Sequence, residues 1–117
     1  MITVYGIKNC DTCRKALKWL DGEGIEARFH DFRVDGLDGA TLDSWLGAVG
    51  WETVLNRRGA SWRAVPKDVQ AAIDAASARR LILDNPTLVK RPVFDLGGNY
   101  VVGFKDAEKQ AILSARS

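Results

Sequence analysis

Cys10 and Cys13 are the only cysteines of this chain, three positions apart in "YGIKNCDTCRKALKWL", residues 5–20. So spaced, they are half of a zinc site, a covalent staple, a redox pair or packed thiols. A structural zinc site takes four ligands, and beyond this pair the chain has one histidine, His30, plus carboxylates. A disulfide closing so short a loop removes little chain entropy, which weakens the staple. Redox chemistry and packing remain, and the surroundings of each sulfur separate them. Cys10 falls between a strand-like run and a helical pattern. There it meets unpaired backbone N–H groups and the positive end of a helix dipole, both of which favour thiolate over thiol. Lys8, Arg14 and Lys15 add positive charge, while Asp11 opposes them. Thiol pKa values in such places fall from ~8.5 into roughly the 3.5–7.5 range, so a moderate depression is expected here. Cys10 is the candidate nucleophile. Cys13, one turn further on, is either a resolving thiol that attacks a mixed disulfide on Cys10 or a buried, inert side chain.

The elements that must position this pair follow from hydrophobic spacing. "ITVY", residues 2–5, is rich in β-formers and predicts a short buried strand. Cys13, Ala16, Leu17 and Leu20 repeat at helical spacing, and Gly22 and Gly24 supply stop signals. "IEARFHDF" alternates Ile25, Ala27 and Phe29 against Glu26, Arg28 and His30, a second strand. Strand, helix and strand in so short a span read as a βαβ unit with parallel strands. Leu42, Trp45, Leu46 and Val49 share a helical face, with Trp51, Val54 and Leu55 behind Gly50. "PKDVQAAIDAAS" predicts a helix with Pro66 at its first position and Val69, Ala72, Ile73 and Ala76 as its stripe. Another short helix is expected over Ala78 to Asp84, stopping before Asn85-Pro86. "RPVFDL", Gly97-Gly98-Asn99 and "YVVGF" form a β-hairpin, and Asp106 is placed to cap a last helix. This order predicts an α/β protein with a thioredoxin-like fold, a mixed four-stranded sheet and a helical insertion. A single domain, 1–117, is expected, its core about 1–36 and 78–117 and the insertion about 37–77.

Composition narrows the function classes. With 117 residues, 46% hydrophobic and 27% charged, the chain suits one globular domain with its own core. A net charge of +2 sets up no field that demands nucleic acid or an anionic membrane. Trp19, Trp45, Trp51 and Trp62 fall in different elements without a basic stripe, which suits packing rather than base stacking. No secretion signal and no membrane span of ~18 apolar residues is read, so the expected location is the cytoplasm. His30 is expected on a strand surface, since Cys10 has its own means of activation.

Several ordered blocks carry a family resemblance. "YGIKNCDTCRKALKWL" resembles the opening of the arsenate reductase (ArsC) family. "LNRRGASWR" and "NPTLVKRPVF" resemble its second and third blocks, and "VVGFKDAE" its last. "RFHDFRVDGLD", "LNRRGASWR" and "KRP" are most similar to the YffB/Spx-like branch. The resemblance implies a glutaredoxin-like fold, thiol chemistry at Cys10, an anion-holding Arg91 and a cis-proline at Pro92. From the residues alone, a trans proline opening an edge strand is the rival for Pro92. Arsenate reductases proper grip the oxyanion with three arginines. Here only Arg91 stands in such a position, with Asn56 and Lys105 in place of the others. Lysine lacks the planar fork that suits an oxyanion, although Arg58 matches the Arg-Gly pair of the YffB/Spx-like branch.

Lys8, Asn9, Arg58, Arg91 and Pro92 are therefore the expected anion- or substrate-binding residues beside Cys10 and Cys13. The function expected is a thiol–disulfide oxidoreductase that binds no cofactor and no metal and uses glutathione as co-substrate. Its partners would be small thiols or disulfides, with neither membrane nor direct nucleic-acid contact. The alternatives are an Spx-like redox regulator that contacts RNA polymerase, and an arsenate reductase.

Overall fold

The structure, a computed structural model, describes residues 1–115. By contact the chain divides into two compact units, Met1–Gly36 with the chain from Arg91 on, and Leu37–Lys90.

The first unit is built on a sheet of order β2-β1-β3-β4. Strand β1, Ile2–Gly6, pairs in parallel with β2, Ala27–Asp31, in the register Val4 to Phe29 and Gly6 to Asp31. Helix α1, Asp11–Gly22, is the crossover between them, as the predicted βαβ unit requires. The chain leaves α1 through Gly24, whose φ of 70° suits a residue without a Cβ. A one-turn helix α2, Phe32–Asp35, follows β2. Strand β3, Val93–Asp95, runs antiparallel to β1, and β4, Tyr100–Val102, antiparallel to β3. The predicted hairpin thus forms. Gly97 and Gly98 take positive φ at its tip, where Asp95 Oδ1 accepts both their N–H groups. Helix α8, Asp106–Ala115, completes the unit.

Strand periodicity sorts the side chains of β1. Ile2 and Val4 join Ala16 and Leu20 of α1, Phe94 of β3, Ile112 of α8 and Ile25 in one buried cluster. On the other face, Tyr5 meets the His30 ring at 4.9 Å and Phe32 at 6.5 Å. This arrangement of a mixed four-stranded sheet and its helices is a thioredoxin/glutaredoxin-like fold.

The second unit is helical. It holds α3 (Gly39–Val49), α4 (Trp51–Val54), α5 (Ala60–Arg63), α6 (Lys67–Ala71), α7 (Ala75–Asp84) and a 3-10 turn, Pro86–Leu88. Leu42 and Trp45 of α3 are fully buried, and Arg79 of α7 forks onto Asp43 of α3 at 2.7 and 3.2 Å. An isolated antiparallel bridge joins Leu55 to Val89.

Two expectations need correction. "PKDVQAAIDAAS" is not one helix. Pro66 is the N-cap of α6 rather than its first helical residue, and the chain breaks after Ala71. Asp74 then starts α7 with a capping box, its carboxylate accepting the Ser77 N–H at 2.9 Å and Ser77 Oγ accepting the Asp74 N–H at 2.9 Å. Side chains that satisfy the backbone locally end one helix and begin the next, which outweighs a continuous apolar spacing. Similarly, Asp106 lies in the first turn of α8 rather than at its cap. The Lys105 N–H donates to Glu108 Oε1 at 2.8 Å, reaching across the start of the helix. No helix among the described residues is long and apolar enough to cross a membrane.

Candidate active site

Cys10 is the N-cap of α1, with extended backbone (φ −132°, ψ 120°) and its carbonyl accepting the Arg14 N–H at 3.0 Å. The cap position follows from sequence: β1 ends at Gly6, three residues turn the chain, and the helical spacing starts at Cys13. The turn is anchored from below. The Lys8 N–H donates to Asp31 Oδ2 at 3.0 Å, while the other oxygen of that carboxylate accepts the Arg33 N–H at 2.8 Å and caps α2. Burial disfavours ionisation of Asp31, but these backbone donors outweigh it and hold its carboxyl below the ordinary range.

The two sulfurs are treated oppositely. Both cysteines are reduced; Cys10 is half-buried and Cys13 is fully buried. Burial alone would raise the Cys10 pKa. The backbone N–H and the thiol of Cys13, together with a hydrogen bond and the charge from Arg91, reverse this and set it below the ordinary thiol value. Burial pushes the Cys13 thiol up to about 12, helped by its hydrogen bond to Cys10 and the Cys10 charge, against a lowering hydrogen bond from the Ile7 backbone. At neutral pH, Cys13 therefore keeps its proton and presents it to Cys10.

The structure places four of the expected residues, Lys8, Asn9, Arg91 and Pro92, in one unit with this pair. Arg91 faces Cys10 and, more weakly, Cys13. The Arg91–Pro92 peptide is cis, Pro92 is buried, and its carbonyl accepts the Gly103 N–H at 2.9 Å. Lys8 and Asn9 are exposed just before Cys10. Asn9 Oδ1 accepts from Arg14 at 3.5 Å, and Arg14 also pairs with Asp11. A cavity of about 520 Å³ is lined by Ile7, Lys8, Cys13, Arg14, Leu17 and Phe29, apolar walls carrying two cations. Arg58 belongs to the second unit, on an exposed turn. There Asn56 Oδ1 accepts the Arg58 N–H at 3.0 Å, so Asn56 shapes that turn.

His30 is not a plain surface residue. It is half-buried, with Nε2 2.6 Å from the Gly36 carbonyl oxygen and its ring against Tyr5. Trp19 packs edge-on to Phe104 at 5.6 Å, and Trp45 is buried. Sequence reasoning passed over Asp31 and Gly6. An acid closing an alternating strand, with an N–H donor two residues on, was the available sign for Asp31. Gly6, which ends a strand directly beneath Cys13, left no sign beyond being glycine.

A half-buried cysteine at a helix N-cap and a cis-proline on a four-stranded mixed sheet define a protein of thioredoxin/glutaredoxin-like fold. Residues 5–112 match the model of the ArsC family, and the chain belongs to that family. An uncharacterised protein of Haemophilus influenzae is 46% identical over 111 residues, covering 95% of this chain and 97% of that one. The global transcriptional regulator Spx of Streptococcus pyogenes is 28% identical over 116 residues, covering 97% and 86%. Among solved structures, the YFFB protein superposes with a TM-score of 0.90 at 42% identity, covering 97% of this chain and 99% of that one. An arsenate reductase (ArsC) related protein from Brucella melitensis gives 0.80 at 52% identity, covering 94% and 92%.

Proposed function

We propose that this protein is a cytoplasmic thiol–disulfide oxidoreductase that draws its electrons from glutathione through Cys10. The observation that carries this reading is the division of labour between the sulfurs: a half-exposed Cys10 held toward thiolate, and a buried Cys13 that keeps its proton and donates a hydrogen bond to it. The Cys10 thiolate attacks the glutathionyl sulfur of a mixed disulfide. A Cys10–glutathione disulfide forms and the substrate leaves as a thiolate. A second glutathione thiolate then attacks that disulfide, releasing oxidised glutathione and restoring Cys10. Two electrons pass from glutathione to substrate, and the substrate thiolate takes a proton from water. Arg91, Lys8 and Asn9 supply charge and hydrogen bonds for the tripeptide's carboxylates, and Pro92 shapes the wall beside Cys10.

Arsenate is the weaker substrate on this reading. Of the family's three arginine positions only Arg91 is retained. Asn56 turns its oxygen to the Arg58 N–H, and Lys105 offers a single ammonium where a fork is needed. The test is intact mass after incubation with oxidised glutathione, followed by glutathione-dependent turnover of a glutathionylated peptide. A single adduct on Cys10, turnover, and loss of both in Cys10→Ser are expected. Absence of any adduct would sink the reading.

The likeness to Spx over 97% of the chain supports a second reading, a redox-sensing regulator that contacts RNA polymerase. Redox-dependent retention of polymerase from lysate, without turnover, is the result that would favour it. Arsenate-dependent oxidation of glutathione would favour the arsenate reductase.

A further inference from the structure

Gly6 ends β1 on the face that Ile2 and Val4 turn toward α1. Along this row the side chains shrink to nothing at the very position over which Cys13 lies. A Cβ built on Gly6 falls well inside van der Waals contact distance of Cys13 Sγ, and lies 3.5 Å from both Cys13 Cβ and Phe29 Cε1. The last two are ordinary contacts, and the φ of Gly6 is not among the positive ones. The strand backbone would thus accept alanine, and its conflict is with one atom, the Cys13 sulfur.

We propose that Gly6 is a positioning residue: its missing side chain is the seat of the Cys13 thiol, and that seat keeps the thiol aimed at the Cys10 sulfur. This rests on the proposed role of Cys10. A helical side chain has few permitted χ1 wells, because one of the three drives it into the preceding turn. A sulfur pushed off its seat therefore swings to another well, or lifts the first turn of α1, and in both cases its bond to Cys10 is lost. The backbone N–H of residue 13 and Arg91 remain to hold part of the thiolate.

The experiment measures alkylation of Cys10 by iodoacetamide against pH, by intact mass, in wild type, Gly6→Ala, Cys13→Ala and the double variant. Thermal melting is followed in parallel. Losing one hydrogen bond to a charged acceptor shifts the Gly6→Ala profile up by about one pH unit, about tenfold less thiolate near pH 6. The double variant should match Cys13→Ala, because alanine at 13 has no sulfur to displace. A Gly6→Ala profile that overlays wild type overturns the proposal. So does an equal shift in the Cys13→Ala background, which would route the effect around the thiol. If Gly6→Ala does not fold but the double variant does, with the Cys13→Ala profile, the conflict is where it is placed here. If neither folds, Gly6 serves something other than Cys13 and the proposal fails. A wild-type Cys10 that titrates like a simple thiol would instead remove the proposed nucleophile itself.

Discussion

Replacing Arg91 with methionine isolates the cationic half of the Cys10 environment. The guanidinium acts on the thiolate through a hydrogen bond and through its charge, and the Cys13 N–H and thiol stay behind. A hydrogen bond to a charged group contributes about 1.5–3 kcal/mol, and one pKa unit is worth about 1.4 kcal/mol. Removing it should raise the Cys10 pKa by about one to two units. Both groups are half-buried, so solvent screens part of the charge and the lower end of that range applies. Near pH 6 the thiolate population then falls about tenfold. The assay is the pH dependence of alkylation, checked by thiolate absorbance; Cys13, pushed up to about 12, does not compete. Arg91→Lys should fall between the two, since it keeps the charge without the fork. Stability should follow the same sign. A Cys10 pKa held below its ordinary 9.0 adds stability above that value, lost as pH falls through the native one. The methionine variant should show a narrower window. If its alkylation profile overlays the wild type, Arg91 does not hold the thiolate and the electrostatic account of the site is wrong.

Cys13→Ser should keep glutathione-dependent turnover within a few-fold, because a hydroxyl replaces the thiol as donor; complete loss would mean that Cys13 resolves the disulfide. Asp31→Asn should destabilise at neutral pH, since an amide cannot accept from both Lys8 and Arg33 as the carboxylate does. The Asp31 pKa is lowered, so its contribution is present above the ordinary carboxyl value and lost as pH falls through the native one. The melting-temperature gap between variant and wild type should therefore close below about pH 4. Phe94→Ala should cost about 3–5 kcal/mol in urea unfolding, since Phe94 is fully buried in the core cluster of the first unit.

Local signals made most of this architecture legible. "ITVY" and, within "IEARFHDF", residues Ala27–Asp31 are strands because alternation and β-propensity agree there, and the glycines at 97 and 98 mark the hairpin through the positive φ they adopt. Position 10 was legible for the same reason, as it lies where a period of 2 gives way to a period near 3.6. The middle of the chain was harder. Val69, Ala72, Ile73 and Ala76 keep a helical spacing, but Ala72 and Ala76 are exposed, so the stripe has no core to bury and the Asp74–Ser77 box divides it. Tertiary contacts were out of reach. Asp31 meets the Lys8 N–H across 23 residues, and Gly6 matters only once α1 has packed on β1. Neither pairing has a spacing that could betray it.

The cysteine pair shows what the fold adds to a motif. The sequence left Cys13 either a resolving thiol or an inert one; in the structure the two sulfurs occupy different dielectric environments and only Cys10 faces solvent. The charge on Cys10 is one cause of the high Cys13 pKa, but burial is the larger. When Cys10 enters a mixed disulfide its charge disappears and that smaller cause goes with it. Burial stays, and so does the close fit of the sulfur over Gly6. Under the proposed mechanism Cys13 thus remains a protonated, enclosed thiol at the step where a resolving cysteine would have to ionise and attack. The half-exposed Cys10 disulfide is open to a thiol from solvent, and such a thiol needs no movement of α1 to reach it. The same burial that makes Cys13 a good donor to a thiolate makes it a poor nucleophile toward a disulfide, which is why glutathione rather than the second cysteine is assigned the closing step.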